Sequence, residues 1–152
     1  MSKDTLVNAE VLIVSNGPGE LSAWVRPVVR RLRAELPGAR ITVALVPCPY
    51  ASGQEAGAVA QWPEAPGVWA PRETLRYLVT GRRPAGWTGP EGKGCVLYLG
   101  GDQLFAAMLG KRTGWPVLVY TDGAARWKRF VATYFAADRA TFERARKRLP
   151  AD

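Results

Sequence analysis

Three short segments carry the residues of this chain best suited to chemistry: Ser15-Asn16-Gly17-Pro18-Gly19-Glu20, Gly100-Gly101-Asp102-Gln103 and Thr121-Asp122-Gly123-Ala124-Ala125. Each sets a carboxylate beside glycine and small polar groups. Gly17 and Gly19 let a backbone approach a ligand closely, and a helix starting behind them offers unpaired N–H groups and a partial positive charge. That combination suits a phosphate or a network of sugar hydroxyls. Glu20, at the start of the same helix, is favoured by its dipole and reads equally well as a cap. Asp102 ends an apolar run and has two readings: a general base or substrate ligand, or the N-cap of the next helix. Both can hold together, since a capping Asp stays ionised. Asp122 lies in a Gly/Ala loop, after Tyr120 and Thr121, which could hydrogen-bond a ligand. The candidate base is therefore Asp102, and the candidate binding residues are Asn16, Gly17, Gly19, Glu20, Gly100, Gly101, Gln103, Thr121 and Asp122.

Much chemistry is excluded by what these segments lack. Asn16–Glu20 does not fit the dinucleotide pattern GxGxxG, since Leu21 and Ser22 follow where a third glycine is needed, and it has no P-loop Lys-Ser/Thr. On spacing alone it is as readily an unliganded tight turn as a binding loop. The chain has no histidine, which removes His-based triads and the commonest metal ligand. Cys48 and Cys95 form no metal-type spacing and read as buried, reduced thiols near strand ends. No metal and no cofactor are expected.

The elements that must position these segments follow from hydrophobic pattern. Glu10–Ser15 (EVLIVS) is a continuous apolar run of the kind buried on both faces of a parallel sheet. A helical pattern follows from Glu20 to Leu36, with Leu21, Val25, Val28, Val29, Leu32 and Leu36 on one face. Pro27 falls inside it, so either the helix kinks there or its first turn is irregular and the regular part starts near Trp24. Further strands are expected over 40–46, 67–70, 94–99, 116–120 and 130–136. Helices are expected over 54–62, 71–79, 103–111 and 138–149, the last capped by Asp138. The stretch 80–93, rich in Gly and Pro, reads as a long loop. Strands alternating with helices imply a doubly wound, mainly parallel α/β sheet of Rossmann-like design, about six strands in the order 3-2-1-4-5-6. In that order the three segments meet at the carboxyl edge, around the switch point between strands one and four.

At 152 residues the chain is expected to form a single domain. Its 47% hydrophobic and 22% charged residues exclude wholesale disorder. No apolar run approaches the ~20 residues of a membrane span, and the first ten residues have no signal core, so a cytoplasmic location is expected. The net charge of +8 favours acidic partners, but no nucleic-acid motif accompanies it and no specific nucleic-acid binding is expected. Trp24, and Trp87 flanked by Arg82 and Arg83, suit either an interfacial or acyl-chain contact or ordinary partial burial.

The opening strand with Ser15–Glu20, Trp24-Val25-Arg26-Pro27 and Leu99-Gly100-Gly101-Asp102 resembles the amino-terminal half of lipid-A-disaccharide synthase and its relatives among GT-B glycosyltransferases. The likeness extends more loosely through Val117–Asp122 to the basic helix at the end. It implies that residues 1–152 form the acceptor-side half of a two-domain enzyme. A second glycosyltransferase domain would hold the nucleotide-sugar donor, a co-substrate, and this chain alone would be inactive. By the resemblance, Asn16–Glu20 matches the acceptor loop and Asp102 the base. The acceptor would be anionic or lipid-linked, with peripheral contact at the inner face of the membrane. Two rival readings stand beside it: a stand-alone module for a nucleotide or other phosphorylated ligand, and an interaction domain whose basic last helix holds an acidic partner.

Overall fold

A computed structural model describes residues 9–90, 92–123 and 125–147. Six strands form one sheet: β1 (Glu10–Ser15), β2 (Arg40–Leu45), β3 (Gly67–Trp69), β4 (Gly94–Tyr98), β5 (Val117–Thr121) and β6 (Thr133–Ala136). Their order is β3-β2-β1-β4-β5-β6 and every pairing is parallel. The expected topology is thus observed. All six residues of β1 are buried, as the apolar run requires of a central parallel strand.

Alternate residues feed two cores. Leu12, Val14, Val96, Val117 and Val119 face one side, where α4 (Pro71–Thr80) and α5 (Gln103–Thr113) pack. Val11, Ile13, Ile41 and Val43 face the other, with Val25 and Val29 from the first long helix. That helix resolves the ambiguity over Pro27. One α-turn, α1 (Pro18–Glu20), passes into a π-turn over Leu21–Val25 and then into α2 (Arg26–Glu35), with Pro27 in its first turn. The wider turn removes the hydrogen-bond demand that proline cannot meet, so the helix runs on. A short α3 (Glu55–Ala60) follows β2.

The outer half departs from expectation in two places. The run 130–136 is not all strand: Lys128–Phe130 forms a 3₁₀ turn and β6 begins at Thr133. The final helix, α6 (Arg139–Arg146), is capped by the Asp138 carboxylate, which accepts from Thr141 N at 2.6 Å. Its expected extension to Leu149 lies outside the described residues.

The described residues of 81–93 hold no helix or strand, as expected of the long loop, and of the two readings of Trp87 the structure shows burial. Trp87 stacks edge-on against Trp69, Tyr77 and Trp115, and donates its indole N–H to Glu10 Oε1. Glu10 in turn pairs with Arg40 at 3.1 Å. Burial pushes the Glu10 carboxyl up from its ordinary value, against the opposing pull of Trp87 and Arg40. The cysteines are free but only half-buried. Cys95 alternates with Val96 on β4 and takes the less covered face. Burial still raises its thiol above the usual range.

Candidate functional site

The site grows from the place where β1 and β4 lie side by side and their chains part. Leu99 N and Gly100 N both donate to Val14 O, at 2.9 and 3.2 Å, so β4 hands its chain to the Gly100–Asp102 turn directly beside the end of β1. Gly100 permits this closeness: a Cβ there would stand 1.9 Å from Glu20 Oε2. Gly101 has φ +86, a left-handed value, and a side chain on it would meet Val46 at 2.8 Å and the Asn16 side chain at 3.4 Å. Two loops about 80 residues apart in sequence are in contact, as the topology requires.

A cleft of about 380 Å³ opens there, walled by Glu20, Trp24, Tyr98, Gly100–Gln103, Tyr120–Asp122 and Arg126. Of the residues singled out from sequence, Glu20, Gly100, Gly101, Asp102, Gln103, Thr121 and Asp122 line it. Asn16, Gly17 and Gly19 do not. Asn16 lies against Gly101, whereas a Cβ on Gly17 or Gly19 would meet nothing within 4 Å. The reason is Glu20, which folds back over its own loop. Its Oε2 accepts from Ser15 Oγ at 3.2 Å, Asn16 N at 3.3 Å and Gly17 N at 3.5 Å. The amide groups that would greet an anion are thereby taken by an internal carboxylate.

Asp102 is both cap and cleft residue. Its Oδ1 accepts from Leu104 N at 2.9 Å at the start of α5, and the side chain is exposed. The capping reading therefore holds, and it leaves the carboxylate open to the cleft. Thr121 is buried and its hydroxyl accepts from Gly123 N. Asp122 is exposed, with its backbone carbonyl taking Thr141 Oγ at 3.2 Å. Gln103 Oε1 accepts from Arg126 N at 3.1 Å, tying the far wall to α5.

Four cleft residues emerge that the sequence reading left aside or undecided: Tyr98, Trp24, Tyr120 and Arg126. Tyr98 stands on the cleft floor and donates its hydroxyl proton to Gly101 O. Its hydroxyl is pushed up to about 12, chiefly by burial and further by Glu20, Asp102 and Asp122. Glu20, Asp102 and Asp122 line the same cleft as Tyr98. Trp24 and Tyr120 meet edge-to-face at 5.5 Å and form an apolar wall. Tyr98 and Arg126 carried no distinguishing sequence signal; only the strand register at Tyr98 could have marked it.

No protein-family model and no curated protein matches the sequence. Among solved structures, the chain matches the crystal structure of a glycosyl transferase family 9 protein from Veillonella parvula. The TM-score is 0.52 at 12% identity, over 94% of this chain. The fold is shared with part of a glycosyltransferase. This chain spans 42% of that protein's length.

Proposed function

We propose that this chain is the acceptor-side domain of a glycosyltransferase related to lipid-A-disaccharide synthase. Its cleft would hold the acceptor, while a second α/β domain would hold the nucleotide-sugar donor. The observation that carries the reading is Asp102, an exposed carboxylate at the carboxyl end of β4, at the switch point of a sheet whose fold recurs in a glycosyltransferase. In the transfer, an acceptor hydroxyl attacks the anomeric carbon of the donor sugar. A new C–O bond forms as the bond to the nucleotide phosphate breaks, and Asp102 takes the hydroxyl proton. The leaving diphosphate departs with the bonding electrons.

The rival reading of a phosphate-binding module is weakened by the site itself. Glu20 occupies the loop amides, and three carboxylates face one arginine across the cleft. Sugar hydroxyls suit carboxylates, and Trp24 with Tyr120 supplies an apolar surface for a ring.

Two measurements test the reading. The 152-residue protein is expected to turn over UDP-sugars no faster than a blank, and robust turnover would overturn the division of labour. In the complete enzyme, Asp102→Asn is expected to lower turnover ~10²–10⁴-fold while barely changing stability, because the amide oxygen still caps α5. Full activity in that variant would leave Asp102 a cap alone.

A further inference from the structure

A second cavity, of about 370 Å³, opens at the opposite edge of the sheet, where β1, β2 and β3 begin. Glu10, Arg40 and Gly67, the first residues of those strands, border it with Arg33, Thr42 and Trp87. The cavity exists because glycine stands where a side chain would close it. Gly67 pairs with Thr42, and a Cβ on Gly67 would lie 3.0 Å from Thr42 Oγ1. The other wall is the turn 84–87, closed by Trp87 N donating to Pro84 O at 3.2 Å. Gly86 takes its third position at φ +74, the place where such a turn favours glycine. The turn carries Trp87 inward against Trp69 and leaves the opening beside it.

The polar groups around this cavity are unevenly used. Thr42 is only 7% exposed, yet its hydroxyl makes no hydrogen bond among the described residues. No fully enclosed side-chain N or O among those residues lacks a partner, so the Thr42 oxygen keeps its access through the cavity. Arg40 donates Nη1 to Thr88 Oγ1 at 2.8 Å and Nη2 to Glu10 Oε2 at 3.1 Å. Arg33 is anchored on the carbonyls of Ala39, Glu64 and Ala65. A guanidinium has five N–H donors, so both arginines keep unused ones. Glu10 has both oxygens engaged, one by Arg40 and one by the Trp87 indole. What the cavity still offers is donor capacity beside two fixed positive charges, against one carboxylate.

We propose that this cavity binds a small organic oxyanion, a carboxylate or a phosphate monoester, with its charged oxygens on Arg40 and Thr42 and its apolar body against Trp87. Oxyanions complement unused donors, and their bonds to a guanidinium are stronger than neutral ones. The volume lies within the range of small-molecule pockets, which begin at about 300 Å³. The cleft at the carboxyl edge has the opposite character, with three carboxylates and Arg126 on its walls. The two edges of one sheet are thus fitted to ligands of different charge. The inference does not depend on how that cleft is used.

Titration of the ¹⁵N-labelled protein, read at the Trp87 indole N–H, tests it. That group is bonded to Glu10 and through it to Arg40, so an anion on Arg40 perturbs its resonance, which Trp87→Phe assigns. Benzoate and phenyl phosphate are the probes and separate the two sources of oxyanion. At least one is expected to shift the indole saturably, while uncharged benzyl alcohol leaves it in place. Thr42→Val keeps a β-branched strand residue and is expected to weaken the bound probe about fivefold, the worth of one hydrogen bond. Arg40→Gln is expected to weaken it about tenfold or more, because a charge-assisted bond is lost. Where Arg40→Gln fails to fold, Gly67→Ala carries the same expectation of weakened binding, its methyl taking the space beside Thr42. Arg76→Gln, an exposed charge on α4 outside the cavity lining, is expected to change affinity less than about twofold. The proposal is overturned if neither probe shifts the indole, or if benzyl alcohol binds as tightly as benzoate. Parent-like binding in Thr42→Val and Arg40→Gln would overturn it, as would equal losses in Arg40→Gln and Arg76→Gln. Inorganic phosphate binding as tightly as phenyl phosphate would refute the apolar contact with Trp87.

Discussion

Replacing Gly100 by alanine would set a methyl group where Glu20 keeps its carboxylate. The added Cβ would stand 1.9 Å from Glu20 Oε2, 2.2 Å from Cδ and 2.7 Å from Oε1, so the side chain must leave. With it go the bonds to Ser15 Oγ, Asn16 N and Gly17 N. These bonds are long, and their joint loss resembles the loss of one helix cap, about 1 kcal/mol. The same methyl in a Glu20→Ala background meets no such obstruction. There the φ of Gly100, outside the left-handed range, accepts alanine, and the reduced freedom of the unfolded chain stabilises by about 0.4–1 kcal/mol. In the parent the same gain offsets part of the cap loss, leaving a cost of about 0–0.6 kcal/mol. Gly100→Ala therefore moves from neutral or destabilising to stabilising between the two backgrounds, and the coupling energy comes to about 1 kcal/mol. Urea unfolding of the four proteins measures it, and melting would show a shift of about 2–4 °C per kcal/mol. Additive effects within about 0.5 kcal/mol would refute the contact between the two loops, and with it the closed front of the cleft.

Other expectations follow from the same geometry. Spectrophotometric titration of the protein minus Tyr98→Phe is expected to isolate one phenol ionising near about 12 in place of the ordinary 10, and a difference curve centred at 10 would refute the enclosed floor. Because the folded Glu10 carboxyl is raised by burial, its contribution to stability is fully present below the unfolded value of about 4.3 and is lost as pH rises through the folded value. The stability of the parent relative to Glu10→Gln is therefore expected to fall as pH rises above about 4.3, as read by urea midpoints; a rise would refute the assignment. Gly110→Ala is expected to cost more than a typical surface change, because its Cβ would lie 2.2 Å from Val117 Cγ2 in the α5–β5 contact.

The fold was legible because each of the first five strands announces itself as a β-branched or apolar run closed soon after by glycine or proline, and alternation with helices leaves few topologies. EVLIVS and RITVAL could hardly be anything but central strands. The convergence of Glu20, Gly100 and Asp102 was legible for the same reason, since neighbouring parallel strands deliver their following loops to one edge. What escaped depended on contacts between distant residues. Trp87 sits in a Gly/Pro-rich stretch that reads as exposed, and only the meeting of Trp69, Tyr77 and Trp115 from three other elements creates its socket. Glu10 looked like an ordinary polar strand start, yet it is buried as the partner of that indole and of Arg40. Gly17 and Gly19 looked like ligand-facing positions because their spacing does not reveal that Glu20 closes the loop.

Capping alone does not account for the charge of the cleft. Five carboxylates of the chain hold amides at or just ahead of helix N-termini: Glu20, Glu55, Glu73, Asp102 and Asp138. Two of them, Glu20 and Asp102, reach the cleft because their helices follow β1 and β4 at the switch point, where the fold brings the helix starts together. Asp122 has no such explanation. It opens no helix, its backbone carbonyl is held by Thr141, and its carboxylate still faces the same space. A third negative charge there makes the cleft less hospitable to phosphate, since each like charge within reach adds repulsion that Arg126 on the cleft wall and Arg144, against the Asp122 carbonyl, offset only in part. In a glycosyl transfer the diphosphate of the donor must then be gripped from outside this cleft, while the hydroxyl that attacks is held inside it. On the proposed reading, these charges would keep the two substrates apart and favour a donor site on another domain.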